Sequence, residues 1–573
     1  MATRTTSPGS KSDSGAAKHV AAILPPLAWL PAYERAWLPQ DAIAGITLAA
    51  YAIPVSLAYA SLAGLPPQFG VYCYLVGGLG YALFGTSRQL AVGPTSAIAM
   101  LVGTTVAGMA DGDPTRWAAI AALTAFAVAI FGALAWIMRL SGLVNFISET
   151  ILTGFKAGAA LTIAMTQLPK LFGVPGGGDH FFERARVLFG QLDQTNLIVL
   201  AMGLVAIGAL VLGEKLLPGR PVALAVVALA IATVSLAGLA QQGVAIVGEL
   251  PAGLPAITAP SLRLRDVDGV LPLAAACFLL GFVESVSAAR TLAARHGYEI
   301  NPRQELLALG AANLMAAFGQ GFPIAGGLSQ SAVNDKAGAR TPLALVFASI
   351  TIGICLVFLT DLLHNLPTVI LAAIVLLAVK GLIDVSALVH LWRVSRFEFA
   401  IAIVALVGVL LLGILKGVLV AVIVSLMVLL AAAARPHVAF LGRIPGTRRY
   451  SDSQRHPDNE AIPDVLIFRV EASLLYFNVD HARGCVWEKI DATDSLQLVV
   501  CDLSNSPYVD VAGADMLADL HNELHSRGIL LRIVEARSKA RDLLRAVGLE
   551  EQVGYLGRHM SIDQALAEFH ERV

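Results

Sequence analysis

The chain has 573 residues, of which 56% are hydrophobic and 14% charged, and its mean hydropathy is +0.71. A soluble surface takes roughly 25% charged residues, so a soluble globular protein is excluded and most of this chain faces lipid. A net charge of −1 gives no global attraction to nucleic acid. The five cysteines (Cys73, Cys277, Cys355, Cys485, Cys501) form neither a CxxC pair nor a metal-ligand spacing with histidine, which argues against a disulfide framework.

Residues 1–40 form an N-terminal segment whose first twenty residues are small and polar with a few basic groups. "AAILPPLAWLPAY" (21–33) is too short and too rich in proline for a signal peptide or a span, which predicts a cytoplasmic N-terminus. From 41 to 435 apolar runs follow one another, and spanning a bilayer as a helix takes about 20 of them. Broken or compressed candidates lie at 43–60, 70–84 and 94–107; full-length ones lie near 117–138, 196–213 and 219–240, with another segment at 150–168. The second half repeats the theme at 271–290, 304–318, 328–335, 341–361, 366–380, 397–414 and 416–434. That is fourteen helices, half-length ones included, and an even number puts both termini on one side.

After Arg435 the character changes, and 436–464 reads as a polar linker. "VLIFRV" (465–470), "LVVCDLS" (498–504) and "ILLRIV" (529–534) then read as buried strands, with helical patterns at 512–525, 537–547 and 561–572. Residues 465–573 are therefore expected to form a small cytoplasmic α/β domain.

Two interruptions stand in corresponding places. "AVGPTSAIAM" (91–100) breaks the third candidate span and "GFPIAGGLSQSAV" (321–333) the tenth, seven spans later. Short, Gly/Pro-interrupted segments at matching positions of two halves mark a transporter site. Two half-helix N-termini aimed at one spot offer free N–H groups and positive dipole ends, which suits an anion. Glu284, within "FLLGFVESVSAAR", is a carboxylate inside a span; such a group faces a cavity or a partner, and is a candidate proton carrier or cation ligand.

"LPPQFGVYCYLVGGLGYALFGTSRQLAVGPTSAIAML" (65–101), "IPVSLAYASLAGLPP" (53–67) and "EINPRQELLALGAANLMAAFGQGFPIAGGLSQSAVNDKAGARTPL" (299–343) together resemble the SulP (sulfate permease) anion transporters, and the tail resembles a STAS domain. The resemblance runs end to end. It implies two inverted seven-span repeats, in which spans one to four and eight to eleven form a core and the others a gate that often dimerises. It places the anion between the N-termini of spans three and ten. Carried onto this chain, it implies Tyr59, Thr95, Gly327, Leu328, Ser329 and Gln330 as substrate-binding residues, and Glu284 as the coupling-ion or proton residue.

Departures shape the expectation. Val55 follows the first-span proline where many relatives carry glutamine, and Gln330 stands where many carry arginine. Losing that fixed charge leaves backbone amides, hydroxyls and the Gln330 amide as donors, and favours proton- or sodium-coupled uptake over exchange. Lys156, early in the fifth span, is read as snorkelling to the membrane surface rather than as a substitute charge. The GxxxG of Gly154 and Gly158 is a weak motif. In the tail, Val511 occupies the position of the phosphorylatable serine of anti-sigma-factor antagonists, so no phosphoswitch is expected there.

The sequence thus predicts a secondary active anion transporter of the inner membrane, a homodimer without cofactor beyond a coupling Na+ or H+. The tail is expected to stabilise the dimer or dock a cytoplasmic protein. The missing phosphoacceptor argues against a sensor, Glu284 against a simple pore, and the lack of a P-loop or HExxH against an enzyme. Sulfate, bicarbonate and a C4-dicarboxylate all remain open as substrates.

Overall fold

The computed structural model describes residues 23–110, 112–142, 149–178, 180–217, 221–493, 495–557 and 560–571. The expectation for residues 1–22 lies outside them. Packing divides the chain into two units, Met1–Ser425 and Leu426–Val573.

Besides the short helices Pro26–Trp29 and Phe181–Phe189, the first half of the first unit holds seven helices: α1 (Leu38–Leu62), α2 (Gln68–Phe84), α3 (Ser96–Ala110), α4 (Pro114–Ile137), α5 (Glu149–Phe172), α6 (Leu197–Leu216) and α7 (Val222–Ala237). Besides the short helix Val385–Val394, seven more follow: α8 (Val267–His296), α9 (Pro302–Phe318), α10 (Leu328–Lys336), α11 (Leu343–Phe358), α12 (Thr368–Lys380), α13 (Arg396–Leu412) and α14 (Ile414–Ala434), the last running into the second unit. Polar caps start several of them where the apolar run begins. Asp113 accepts the Thr115 and Arg116 N–H groups ahead of α4, Asn196 caps α6, and Asn301 caps α9, with Pro114 and Pro302 at the first helical positions.

The helices pair as a two-fold arrangement requires. Adding seven to each number turns the α1–α11 packing into α8–α4, α4–α9 into α11–α2, and α5–α13 into α12–α6, while α2–α9 and α5–α12 map onto themselves. The strongest pairings also sort helices into two sets: α1–α4 with α8–α11, and α5 and α6 with α12 and α13. In the second set, a Cβ on Gly158 would lie 2.7 Å from the Leu406 carbonyl, and one on Gly154 would strike that of Ala402. The glycine pair, weak as a sequence motif, is what lets α5 approach the backbone of α13.

Asp41 anchors the start of α1. Fully buried, it accepts hydrogen bonds from Tyr33, from the Arg340 and Thr341 N–H groups (2.7 and 3.1 Å) and from the Thr341 hydroxyl. This ties α1 to the segment entering α11.

The helices that follow the two sequence breaks are short. At 1.5 Å per residue, α3 with 15 residues spans about 22 Å and α10 with nine about 14 Å, against a hydrocarbon core of about 30 Å. Extended backbone precedes each: β1 (Val92–Gly93) and β2 (Ala325–Gly326) pair antiparallel, Val92 opposite Gly326 and Gly93 opposite Ala325.

The second unit carries a five-stranded sheet in the order β4-β3-β5-β6-β7. Its strands are β3 (Val438–Arg443), β4 (Tyr450–Asp452), β5 (Val465–Val470), β6 (Leu498–Asp502) and β7 (Leu530–Val534); β5, β6 and β7 run parallel and β3 antiparallel to β5. Helices α15 (Val479–Asp491), α16 (Val511–Ser526), α17 (Ser538–Ala546) and α18 (Ile562–His570) complete it. Apolar clusters cover both sheet faces, one around Phe468, Val499 and Leu517, the other around Ile467, Val500 and Leu566.

The segment 436–464, expected as a linker, therefore holds two strands. β3 follows α14 within four residues, so its apolar residues read as the frayed end of a span. Helix α15 was likewise unassigned, although Val479, Ala482, Val486 and Ile490 share its buried face at helical spacing. Val511 is 60% exposed at the first position of α16, beside the capping Asp510. Ser506 is fully buried against the Val470 and Ala472 carbonyls.

Candidate anion-binding site

The antiparallel pairing of β1 and β2 aims α3 and α10 at one point from opposite directions. Backbone this irregular survives at membrane depth only if its polar groups are satisfied internally, and here they are. The Ser285 hydroxyl accepts the Gly326 N–H at 2.8 Å, and Asn313 both donates to the Ile324 carbonyl and accepts its N–H. Ser331 accepts the Ala91 N–H at 2.9 Å and Asn334 donates to the Gln89 carbonyl at 3.0 Å. Glycine is required along the seam: a Cβ on Gly93 would sit 2.5 Å from the Tyr74 ring, and one on Gly326 2.8 Å from Leu90.

Gln330 clasps the two strands. Its amide nitrogen donates to the Ala91 carbonyl (3.0 Å) and the Ala325 carbonyl (3.1 Å), and its amide oxygen accepts the Tyr74 hydroxyl. Both amide hydrogens are spent and the side chain is 4% exposed.

What is left over points into a cavity of about 180 Å³. The first-turn N–H groups of α3 and α10 have no carbonyl one turn back to bind. Thr95, just before α3, is 9% exposed, and its hydroxyl has no hydrogen-bond partner among the described residues. Such an orphan is rare in a buried site and calls for an explanation.

All seven residues expected at the site line this cavity: Tyr59, Thr95, Glu284, Gly327, Leu328, Ser329 and Gln330. Tyr51, Val55 and Tyr59 form one stripe of α1 at four-residue spacing, and Glu284, Ser287, Ala288 and Thr291 one stripe of α8. Leu328 and Ser329 are exposed on the cavity side, whereas Glu284 is half-buried. Sequence reasoning missed Tyr51, whose helical spacing from Tyr59 was visible, and Tyr74, whose role depends on a contact 256 residues away. Lys156 does not stand apart at the membrane surface. It lines the same cavity and acts electrostatically on Glu284.

The fold defines a polytopic helical membrane protein of inverted-repeat construction with a cavity at its broken helices. The sulfate permease family model matches residues 38–405 and the STAS domain model residues 456–565. A probable sulfate transporter of Mycobacterium tuberculosis is 34% identical over 543 residues, covering 94% of this chain and 97% of that protein. The chloroplastic sulfate transporter 4.1 of Arabidopsis thaliana is 30% identical over 550 residues, covering 93% of this chain and 80% of its own length. The chain belongs to the sulfate permease family and carries a C-terminal STAS domain. Its fold is that of the solved murine SLC26A9 anion transporter (TM-score 0.89, 24% identity, 100% of this chain and 96% of that one). The transmembrane domain of the cyanobacterial bicarbonate transporter BicA aligns with 69% of this chain and 98% of its own at TM-score 0.59 and 21% identity. It is an anion transporter, not an enzyme.

Proposed function

We propose that this protein is a secondary active transporter that takes up sulfate or a related small oxyanion, driven by a proton or sodium ion. The observation that carries this is the convergence of two half-helix N-termini and an unpartnered buried Thr95 hydroxyl on a cavity that also holds Glu284. Free N–H groups and a hydroxyl solvate an anion, and a carboxylate beside it must be neutralised by the coupling cation before that anion is tolerated. The cavity of about 180 Å³ lies below the roughly 300–1,000 Å³ of pockets for drug-sized ligands, which favours an inorganic anion. Anion ligands are then Thr95, the N–H groups of Gly327, Leu328 and Ser329 and the Ser329 hydroxyl. Tyr59 forms a wall, and Gln330 holds the cradle in shape.

The sorting of helices into two sets supports an elevator-type step, in which α1–α4 and α8–α11 carry the site past α5, α6, α12 and α13. We place the protein in the inner membrane with both termini in the cytoplasm, as a homodimer, with the STAS unit available to a cytoplasmic partner.

The test is uptake of labelled sulfate, bicarbonate and fumarate into proteoliposomes under an imposed proton gradient, a sodium gradient, or neither. Gradient-driven accumulation of sulfate is expected; uptake only against a trapped counter-anion would make the protein an exchanger. Thr95→Val separates ligand from scaffold. Losing one hydrogen bond to a charged group (about 1.5–3 kcal/mol) is expected to raise the anion KM about 10- to 100-fold. The melting temperature should hold or rise, because an orphaned buried hydroxyl is replaced by a methyl. A lower melting temperature with unchanged KM would take Thr95 out of the site.

A further inference from the structure

The cradle has hydrogen-bond donors but no charge of its own. Gln330 is neutral and both its amide hydrogens bind backbone carbonyls, and dipole ends alone offset a dianion weakly. Among the described residues lining the cavity, Lys156 is the single cation and Glu284 the single carboxylate. Lys156 stands on α5, in the helix set opposite the cradle, and among the described residues it makes no hydrogen bond and no ion pair. The two groups sense each other electrostatically without closing a salt bridge.

Besides Glu284, the acids around this ammonium already hold hydrogen-bond partners. The phenols Tyr51 and Tyr59 are the other titratable groups of the cavity wall. Asp384 also acts on Lys156, but its carboxylate is engaged by the Ser386 hydroxyl and the Ala387 N–H. On the elements packed against α8, Arg116 of α4 pairs with Asp266 and Asp335 of α10 pairs with Arg295 and His296, while Glu305 of α9 binds Tyr81 and Thr86. On α13, packed against α5, Glu398 accepts from Thr150.

We infer that Lys156 is a substrate-binding residue, whose ammonium faces the cradle across the cavity and passes from the Glu284 carboxylate to the bound anion. This rests on the anion-transporter reading and extends it. While Glu284 is charged, it and an incoming anion compete for one cation. Once a proton or sodium ion neutralises Glu284, Lys156 is released to the anion, so anion and coupling ion bind together. Because Lys156 belongs to the helix set that does not carry the cradle, it holds the anion only in the position where cradle and α5 face each other.

Labelled-sulfate binding to the purified full-length protein in detergent tests this, with bicarbonate and fumarate as competing probes. Lys156→Gln is expected to raise the sulfate Kd about 10- to 100-fold, the loss of one charge-assisted contact, and Lys156→Arg to stay within about three-fold of wild type. The double variant Lys156→Gln/Glu284→Gln decides between roles. If Lys156 binds the anion, the double variant stays weak; if Lys156 only offsets Glu284, removing both restores the wild-type Kd and overturns the inference. Tight wild-type binding unmoved in Lys156→Gln would overturn it alone. Wild-type protein that binds none of the three anions would remove the transporter reading, and this inference with it.

Discussion

Glu284→Gln abolishes gradient-driven accumulation: this is the largest expected effect on transport. Glu284 lies in the middle of α8, half-buried, on the stripe that faces the cradle. A charged carboxylate inside the hydrocarbon layer costs several kcal/mol unless it is neutralised, so the proposed transport step requires a proton or cation on Glu284. Glutamine keeps the shape and the hydrogen-bonding capacity but binds neither. Each ten-fold gradient is worth about 1.4 kcal/mol, so an imposed gradient of two pH units supports about 100-fold accumulation per coupled proton. The variant should equilibrate at about one-fold while still exchanging anion across the vesicle. Accumulation in Glu284→Gln equal to wild type would remove this residue from coupling.

Gln330→Leu should cost stability before it costs affinity. The substitution strips partners from the Ala91 and Ala325 carbonyls and from the Tyr74 hydroxyl, all buried. Each buried polar group left unpaired costs about 1–3 kcal/mol, so a loss of about 3 kcal/mol or more is expected against a typical net stability of 5–15 kcal/mol. The melting temperature in detergent should fall and uptake with it, since β1 and β2 no longer hold α3 and α10 in register. Tyr74→Phe removes one of these bonds and should lower the melting temperature by less, with the anion KM unchanged. A Gln330→Leu protein that melts like wild type and differs only in KM would make Gln330 a direct ligand.

The expected site residues come together because their positions follow from local rules. A Gly-Pro break ends a helix whatever surrounds it, so "AVGPTS" and "GFPIAGG" announce two half-helices without knowledge of the partner strand. A lone carboxylate in an apolar run, such as Glu284, announces a cavity for the same reason. Roles are less legible than positions. Gln330 reads from sequence as a donor to the anion, yet its hydrogens go to carbonyls five and 239 residues away. Lys156, near a helix start, reads as a snorkelling lysine, yet lines the cavity.

The amino-acid sequence by itself determined the elements: lipid demands long apolar runs, glycine and proline interrupt them, and short, near-continuous apolar runs bounded by polar residues mark β5, β6 and β7. It left β3 unassigned, because apolar residues directly after a span carry no boundary of their own. The tertiary structure alone decided which donors are left to face the cavity. A side chain's hydrogen bonds are a finite stock, and how Gln330, Ser285 and Asn313 spend theirs depends on backbone that only the fold brings to them. Gln330 meets Ala91 of the other repeat, and Ser285 and Asn313 meet Gly326 and Ile324 of the same repeat. Among the described residues no such partner reaches the Thr95 hydroxyl or the Lys156 ammonium.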